Sequence, residues 1–197
     1  MNVNPKTIES WMKFIRFHPD LSERYMDQFW GSQVVSKEQL INVLVLNRPI
    51  GAYYVFGGWY GVTAQLILDN LDACVRNVYS VDSDPYCAWV INDVVKSDKV
   101  EAVTHEMSDY EYPEKPACVI NCVTEHITQE TFDKWWDKIP EGTMYVLQGN
   151  DFWESPDHIR CAANIDDFKT IHHCKNILGE KEWDCDGFTR YMVWGHK

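Results

Sequence analysis

Basic side chains are scarce in this chain. Eighteen Lys and Arg stand against thirty Asp and Glu, for a formal net charge of −12 at pH 7. That deficit argues against duplex nucleic acid or an anionic membrane as a partner, because phosphate binding needs a surplus of Lys and Arg on at least one face. Paired cysteines are missing too: the seven thiols are odd in number and none sits in a C-x-x-C spacing. The N-terminus MNVNPKTIES lacks the apolar run of a secretory signal. The expectation is a cytoplasmic chain with free thiols, in which Cys118 and Cys122 act as small hydrophobes. The main group of metal-ligating types, His172, His173 and Cys174, consists of adjacent side chains that point apart, as in a polar stretch of helix or loop. No metal is expected.

What is present is an ordinary globular composition. With 197 residues, 45% hydrophobic and 24% charged, the chain fits one domain that buries about 70% of its unfolded surface. From Pro49 to Leu68 it carries no charge, a length that could cross a bilayer. That stretch nevertheless holds a proline, four glycines and Gln65, and Asp69 and Asp72 follow it where a basic flank would be needed. It reads better as a buried strand over 52–56, a tight turn over 57–61 and a helix over 62–71.

Residues 1–50 read as an N-terminal helical extension that packs on the core or covers a site. Trp11, Phe14 and Ile15 share a helix face, a second run from Pro19 carries Leu21, Tyr25, Met26 and Phe29, and Ser36 with Gln39 matches a capping box opening a third. Residues 51–197 alternate strand and helix patterns. Strands are predicted over 78–81, 100–104, 117–123 and 143–147. Asp84 and Pro85 open a helix through Val95, and Thr128 caps another containing Trp135 and Trp136, of which one is expected inside and the other partly exposed. A short helix at 165–171 and a polar turn over 180–187 come last, with the run FTRYMVW closing a terminal hairpin. Such alternation implies an α/β fold with a mostly parallel sheet between two helical layers.

Parallel sheets bind ligands at the carboxyl ends of their strands, beside the point where strand order reverses. Four edges there carry candidates. In the turn Gly57, Gly58, Trp59, Tyr60, Gly61, glycines let a ligand approach the main chain and the next helix offers free N–H groups. Asp82, with Ser83 beside it, ends the second strand, where a carboxylate can accept both hydrogen bonds of a ribose diol. Together, within one strand–helix–strand unit, these features point to a nucleoside ligand. Asn121, Glu125 and His126 follow the fourth strand. Gln148, Asn150, Asp151 and Trp153, then His158, follow the fifth.

On the turn at 57–61, Asp82 in its DSDP context and the strand at 117–123, the chain resembles the class I S-adenosylmethionine-dependent methyltransferases. The resemblance covers the layout from about Ala52 to Trp194. It implies a Rossmann-like three-layer sandwich with a C-terminal antiparallel hairpin, S-adenosylmethionine as cofactor, and Gly57, Gly58, Trp59, Gly61, Asp82 and Ser83 around it. Two positions depart from the family pattern: Val55 stands where an acid is usual in the first strand, and Trp59 where the turn has a glycine.

A methyl transfer needs alignment and removal of a proton. His126 is the candidate base, with Glu125 to orient it and Asn121 alongside. Gln148, Asn150, Asp151 and Trp153 are the candidates to hold a polar acceptor, a small molecule or a peptide; aromatic residues near the loops, Trp59 and Trp153 among them, can contact a sulfonium through their π faces. The rival readings are a non-catalytic module with a degenerate cofactor site, an aminocarboxypropyl transferase and a dinucleotide oxidoreductase. The oligomeric state is open.

Overall fold

The computed structural model describes all 197 residues. Seven strands form one sheet: β1 Gly51–Phe56, β2 Val75–Asp82, β3 Val100–Thr104, β4 Pro116–Asn121, β5 Met144–Asn150, β6 Ile177–Cys185 and β7 Phe188–His196. Their order is β3-β2-β1-β4-β5-β7-β6, parallel except that β7 runs antiparallel to both β5 and β6. Strand order reverses between β1 and β4, where Phe56 pairs with Asn121. The expected α/β sandwich with a late antiparallel hairpin is the observed fold.

Alternation along β1 sorts the core into two layers. Tyr53 and Val55 face a cluster built from α1 Pro5–Phe17, α2 Ser22–Met26, α3 Gly31–Asn47, α4 Val62–Leu71 and α5 Pro85–Val94. Ala52, Tyr54 and Phe56 face the other side, against α6 Gln129–Lys138 and α7 Ile165–Ile171. Period-2 side-chain alternation is what allows a single strand to serve both layers. Helix starts follow local chemistry: Asp84 accepts from the Tyr86 N–H ahead of Pro85, Thr128 accepts from the Thr131 N–H, and Asn164 accepts from the Asp167 N–H.

Five local expectations are corrected. Ser36 does not open a helix; α3 begins at Gly31, and the Ser36 hydroxyl donates back to the Ser32 carbonyl one turn earlier. β4 stops at Asn121, because the Asn121 side chain takes the Val123 N–H and turns the chain. Trp135 and Trp136 are both buried, since the layer under α6 is closed by Tyr145 at 5.1 Å from Trp136 and Phe56 at 5.3 Å from Trp135. The polar stretch 180–187 is mostly strand: β6 is a sheet edge whose Glu180, Lys181, Glu182 and Asp184 meet solvent, a common guard against edge pairing. The hairpin turn itself is only Asp186–Gly187, with Gly187 at φ +89°. His172 also differs from a polar loop residue. It is fully buried between Phe168 and Phe132, at ring distances of 4.0 and 4.8 Å.

Candidate functional site

After β1 the chain must turn sharply at the switch point. Gly57 and Gly61 take positive φ, +64° and +81°, and Trp59 joins them at +48°. Gly57 and Gly58 both donate to the Val81 carbonyl, which locks the loop over the end of β2. A side chain at Gly58 would run into the Ser80 hydroxyl, so glycine is required there by packing alone. The Asp82 carboxylate organises the same corner: one oxygen accepts from the Trp59 N–H at 3.0 Å and the other from the Asp84 N–H at 3.0 Å. Each oxygen keeps a second lone pair for a ligand, and the side chain is half-buried. Ser83 beside it is exposed.

Between this loop and the ends of β4 and β5 lies a cavity of about 120 Å³. Its walls come from four parts of the chain: Gln28, Gln33, Ser36 and Lys37 of the N-terminal helices; Gly57, Gly58 and Trp59 of the loop with Thr63 at the start of α4; Glu125, His126 and His158; and Gln148 with Arg190 of the sheet. A wider groove of about 640 Å³ between α1 and α5 is lined by helix-surface groups such as Lys13, Asp93 and Lys96, and no strand end reaches it.

The cavity is cationic on one side. Lys37 is buried, and its ammonium donates to the Gln28 carbonyl at 3.0 Å. Burial, reinforced by Arg190, pulls its pKa down to about 8. Neither Lys37 nor Arg190 has a carboxylate partner. Three buried polar atoms on lining residues have no hydrogen-bond partner: Gln28 Nε2, Glu125 Oε2 and Arg190 Nε. Buried polar atoms without a protein partner are rare, and such atoms are available to a ligand or to water.

The sequence candidates divide. Glu125 and His126 line the cavity together, carried by the turn at Thr124–His126. That turn is pinned, with the Thr124 hydroxyl donating to the Gln148 carbonyl and the Glu125 carbonyl accepting from the Ile159 and Arg160 N–H groups. Gln148 lines it too, and its amide donates to the Ser36 carbonyl, tethering α3 to the sheet. Asn150 stands behind, donating to Glu125 Oε1 at 2.6 Å. Asn121 is buried at the end of β4, and Asp151 binds the Thr189 N–H and the Tyr191 hydroxyl of β7. Trp153 is exposed. None of these last three lines the cavity. Lys37, Arg190 and Gln28 escaped sequence reasoning because each sits in an element whose local pattern reads as packing.

No protein-family model and no curated protein matches the chain. Solved structures do. The N-methyltransferase NodS from Bradyrhizobium japonicum WM9, in complex with S-adenosyl-L-homocysteine, is similar at a TM-score of 0.68 and 7% identity, over 85% of this chain and 88% of that one. The plantazolicin methyltransferase BpumL, in complex with a pentazolic desmethylPZN analogue and SAH, is similar at 0.63 and 11%, over 99% of both chains. Magnesium protoporphyrin IX methyltransferase from Synechocystis PCC 6803, with bound SAM, is similar at 0.61 and 12%, over 82% of this chain and 78% of that one. At these identities the likeness is one of fold. The fold is that of the class I S-adenosylmethionine-dependent methyltransferases.

Proposed function

We propose that the chain binds S-adenosylmethionine at the carboxyl ends of β1 and β2 and transfers its methyl group to a small-molecule or peptide acceptor. The observation that carries this reading is the cavity between the glycine loop and Glu125, where Lys37 and Arg190 are buried without an anionic partner. A buried cation pair of that kind suits a carboxylate such as the one on the cofactor's amino-acid end. Asp82 keeps lone pairs for a ribose diol. When bound, the cofactor supplies an electrophilic methyl on a sulfonium. The chain's part is to align the acceptor against it and to take up a proton. His126 and His158 are the imidazoles at hand, and Asn150 holds Glu125 in position beside them.

The cavity is smaller than the roughly 300 Å³ at the lower end of small-molecule sites. Entry of the whole cofactor therefore requires the Trp59 side chain or the α2–α3 wall to give way. The non-catalytic alternative draws on the same residue, since an indole replaces the glycine of the family turn.

Calorimetric titration with S-adenosylmethionine and S-adenosylhomocysteine tests the reading. Binding of both is expected, weakened at least about tenfold in Asp82→Asn, which keeps the shape of the side chain and loses its charge. Absence of heat for either ligand, with a fluorescence response to NADH, would favour the dinucleotide alternative.

A further inference from the structure

Glu125, His126 and His158 bring one carboxylate oxygen and two imidazole nitrogens to within 4.8 Å of one another on the cavity wall. Ligand atoms on a tetrahedral ion at about 2.0–2.2 Å stand roughly 3.5 Å apart, so side-chain rotation of about an ångström closes the set.

Each member is already oriented. His126 Nδ1 lies 3.2 Å from the Asp157 carbonyl, and His158 Nδ1 lies 2.8 Å from the Phe152 carbonyl. A carbonyl only accepts, so in both neutral rings Nδ1 carries the proton and Nε2 the lone pair. Metal-bound histidines are held by their second nitrogen in this way. On Glu125, Oε1 takes the Asn150 amide at 2.6 Å, while Oε2 is buried and has no protein partner. The carbonyl of Glu125 accepts from Ile159 and Arg160, the residues next to His158, which ties the two ligand-bearing loops together.

We propose that Glu125, His126 and His158 form a binding site for a divalent first-row transition metal, with coordination positions left open to the cavity. Two imidazoles and one carboxylate suit Zn²⁺, Fe²⁺ or Co²⁺ and are a poor match for Mg²⁺, which prefers an all-oxygen shell. The cavity's cations, Lys37 and Arg190, make an oxyanion a fitting further ligand. Metal binding itself stands apart from the methyl-transfer reading. Where that reading holds, the ion would take an acceptor oxygen and lower its pKa, and His126 would serve as ligand instead of proton acceptor.

The experiment is calorimetry of chelator-stripped full-length protein, without cofactor, against ZnCl₂ and against MgCl₂. One Zn²⁺ per chain is expected, with no comparable Mg²⁺ binding. His126→Ala and His158→Ala are each expected to weaken Zn²⁺ at least about tenfold, while His105→Ala and His173→Ala leave it unchanged. His126 is exposed, so its variant folds, and a melting curve of each protein checks this. Co²⁺ substitution supplies a second readout, a visible absorption band of tetrahedral intensity that Glu125→Gln shifts. Sub-stoichiometric Zn²⁺, or binding that survives both His126→Ala and His158→Ala, would overturn the proposal. Titration of S-adenosylhomocysteine into the same metal-free protein reads the cofactor question separately, so either idea can fail alone.

Discussion

Trp59 adopts a backbone conformation that bulky side chains avoid, with φ at +48°. A non-glycine residue in that region costs about 1–2 kcal/mol, and the Asp82 hydrogen bond to its N–H holds it there. Trp59→Gly fits the backbone as it stands and removes the indole from the cavity wall. We expect it to tighten S-adenosylhomocysteine in calorimetry; a weakened ligand would mean that the indole is a contact. Lys37 gives a pH dependence. Its pKa, lowered to about 8 by burial, leaves the ammonium charged below that pH and neutral above it. Affinity for a carboxylate ligand is therefore steady near pH 7 and falls as pH rises through about 8. Lys37→Arg keeps its charge and removes the fall. At this scale Asp82 and the glycines were readable from the sequence, because turn chemistry and strand ends leave local signs. Lys37 and Arg190 left none: a lysine in a helix and an arginine in a strand are ordinary until the fold buries them side by side.

Elements were legible wherever their ends carry a cap or a proline. Asp84 with Pro85 and Thr128 marked α5 and α6 through hydrogen bonds made within a few residues. The capping-box pattern at Ser36 misled because the same hydroxyl can bond backward to a carbonyl inside a helix. β6 hid for a different reason: an edge strand with solvent on much of its surface has no apolar alternation to read. The glycine loop makes the testable statement here. A Cβ at Gly58 collides with the Ser80 hydroxyl and comes within 3.2 Å of the Val55 carbonyl. Gly58→Ala is expected to lower stability by about 1–3 kcal/mol, the usual range for overpacking. Ser80→Ala should recover part of the loss. Thermal melts of the single and double variants check both, and equal melts for Gly58→Ala and wild type would mean that the loop yields freely.

Across the whole molecule, the two core layers set both stability and access to the site. Trp11, Phe14, Tyr25, Leu40 and Leu44 of the first fifty residues lie in the same cluster as Tyr53 and Val55 of β1. Removal of residues 1–50 is expected to leave a chain without a cooperative unfolding transition, measured by urea denaturation. On the opposite layer His172 is fully buried, and burial, with Arg160 adding to it, pulls its pKa down to about 3. The unfolded chain takes up that proton first as the pH falls below the ordinary value near 6.5. The contribution is thus complete above about pH 6.5 and drains away toward pH 3, at up to about 1.4 kcal/mol per unit. Urea midpoints at about pH 7 and about pH 5 should diverge in wild type and draw closer in His172→Phe. Local patterning, caps and turn residues were enough to read the strand–helix alternation, the glycine turn, Asp82 and the Glu125–His126 pair, because each depends on neighbours in the chain. Long-range packing alone brings Lys37, His158 and Arg190 to one cavity, buries His172 and both tryptophans of α6, and makes an edge strand of a polar run. Those features depend on groups far apart in sequence, whose desolvation and partners exist only once both layers have closed on the sheet.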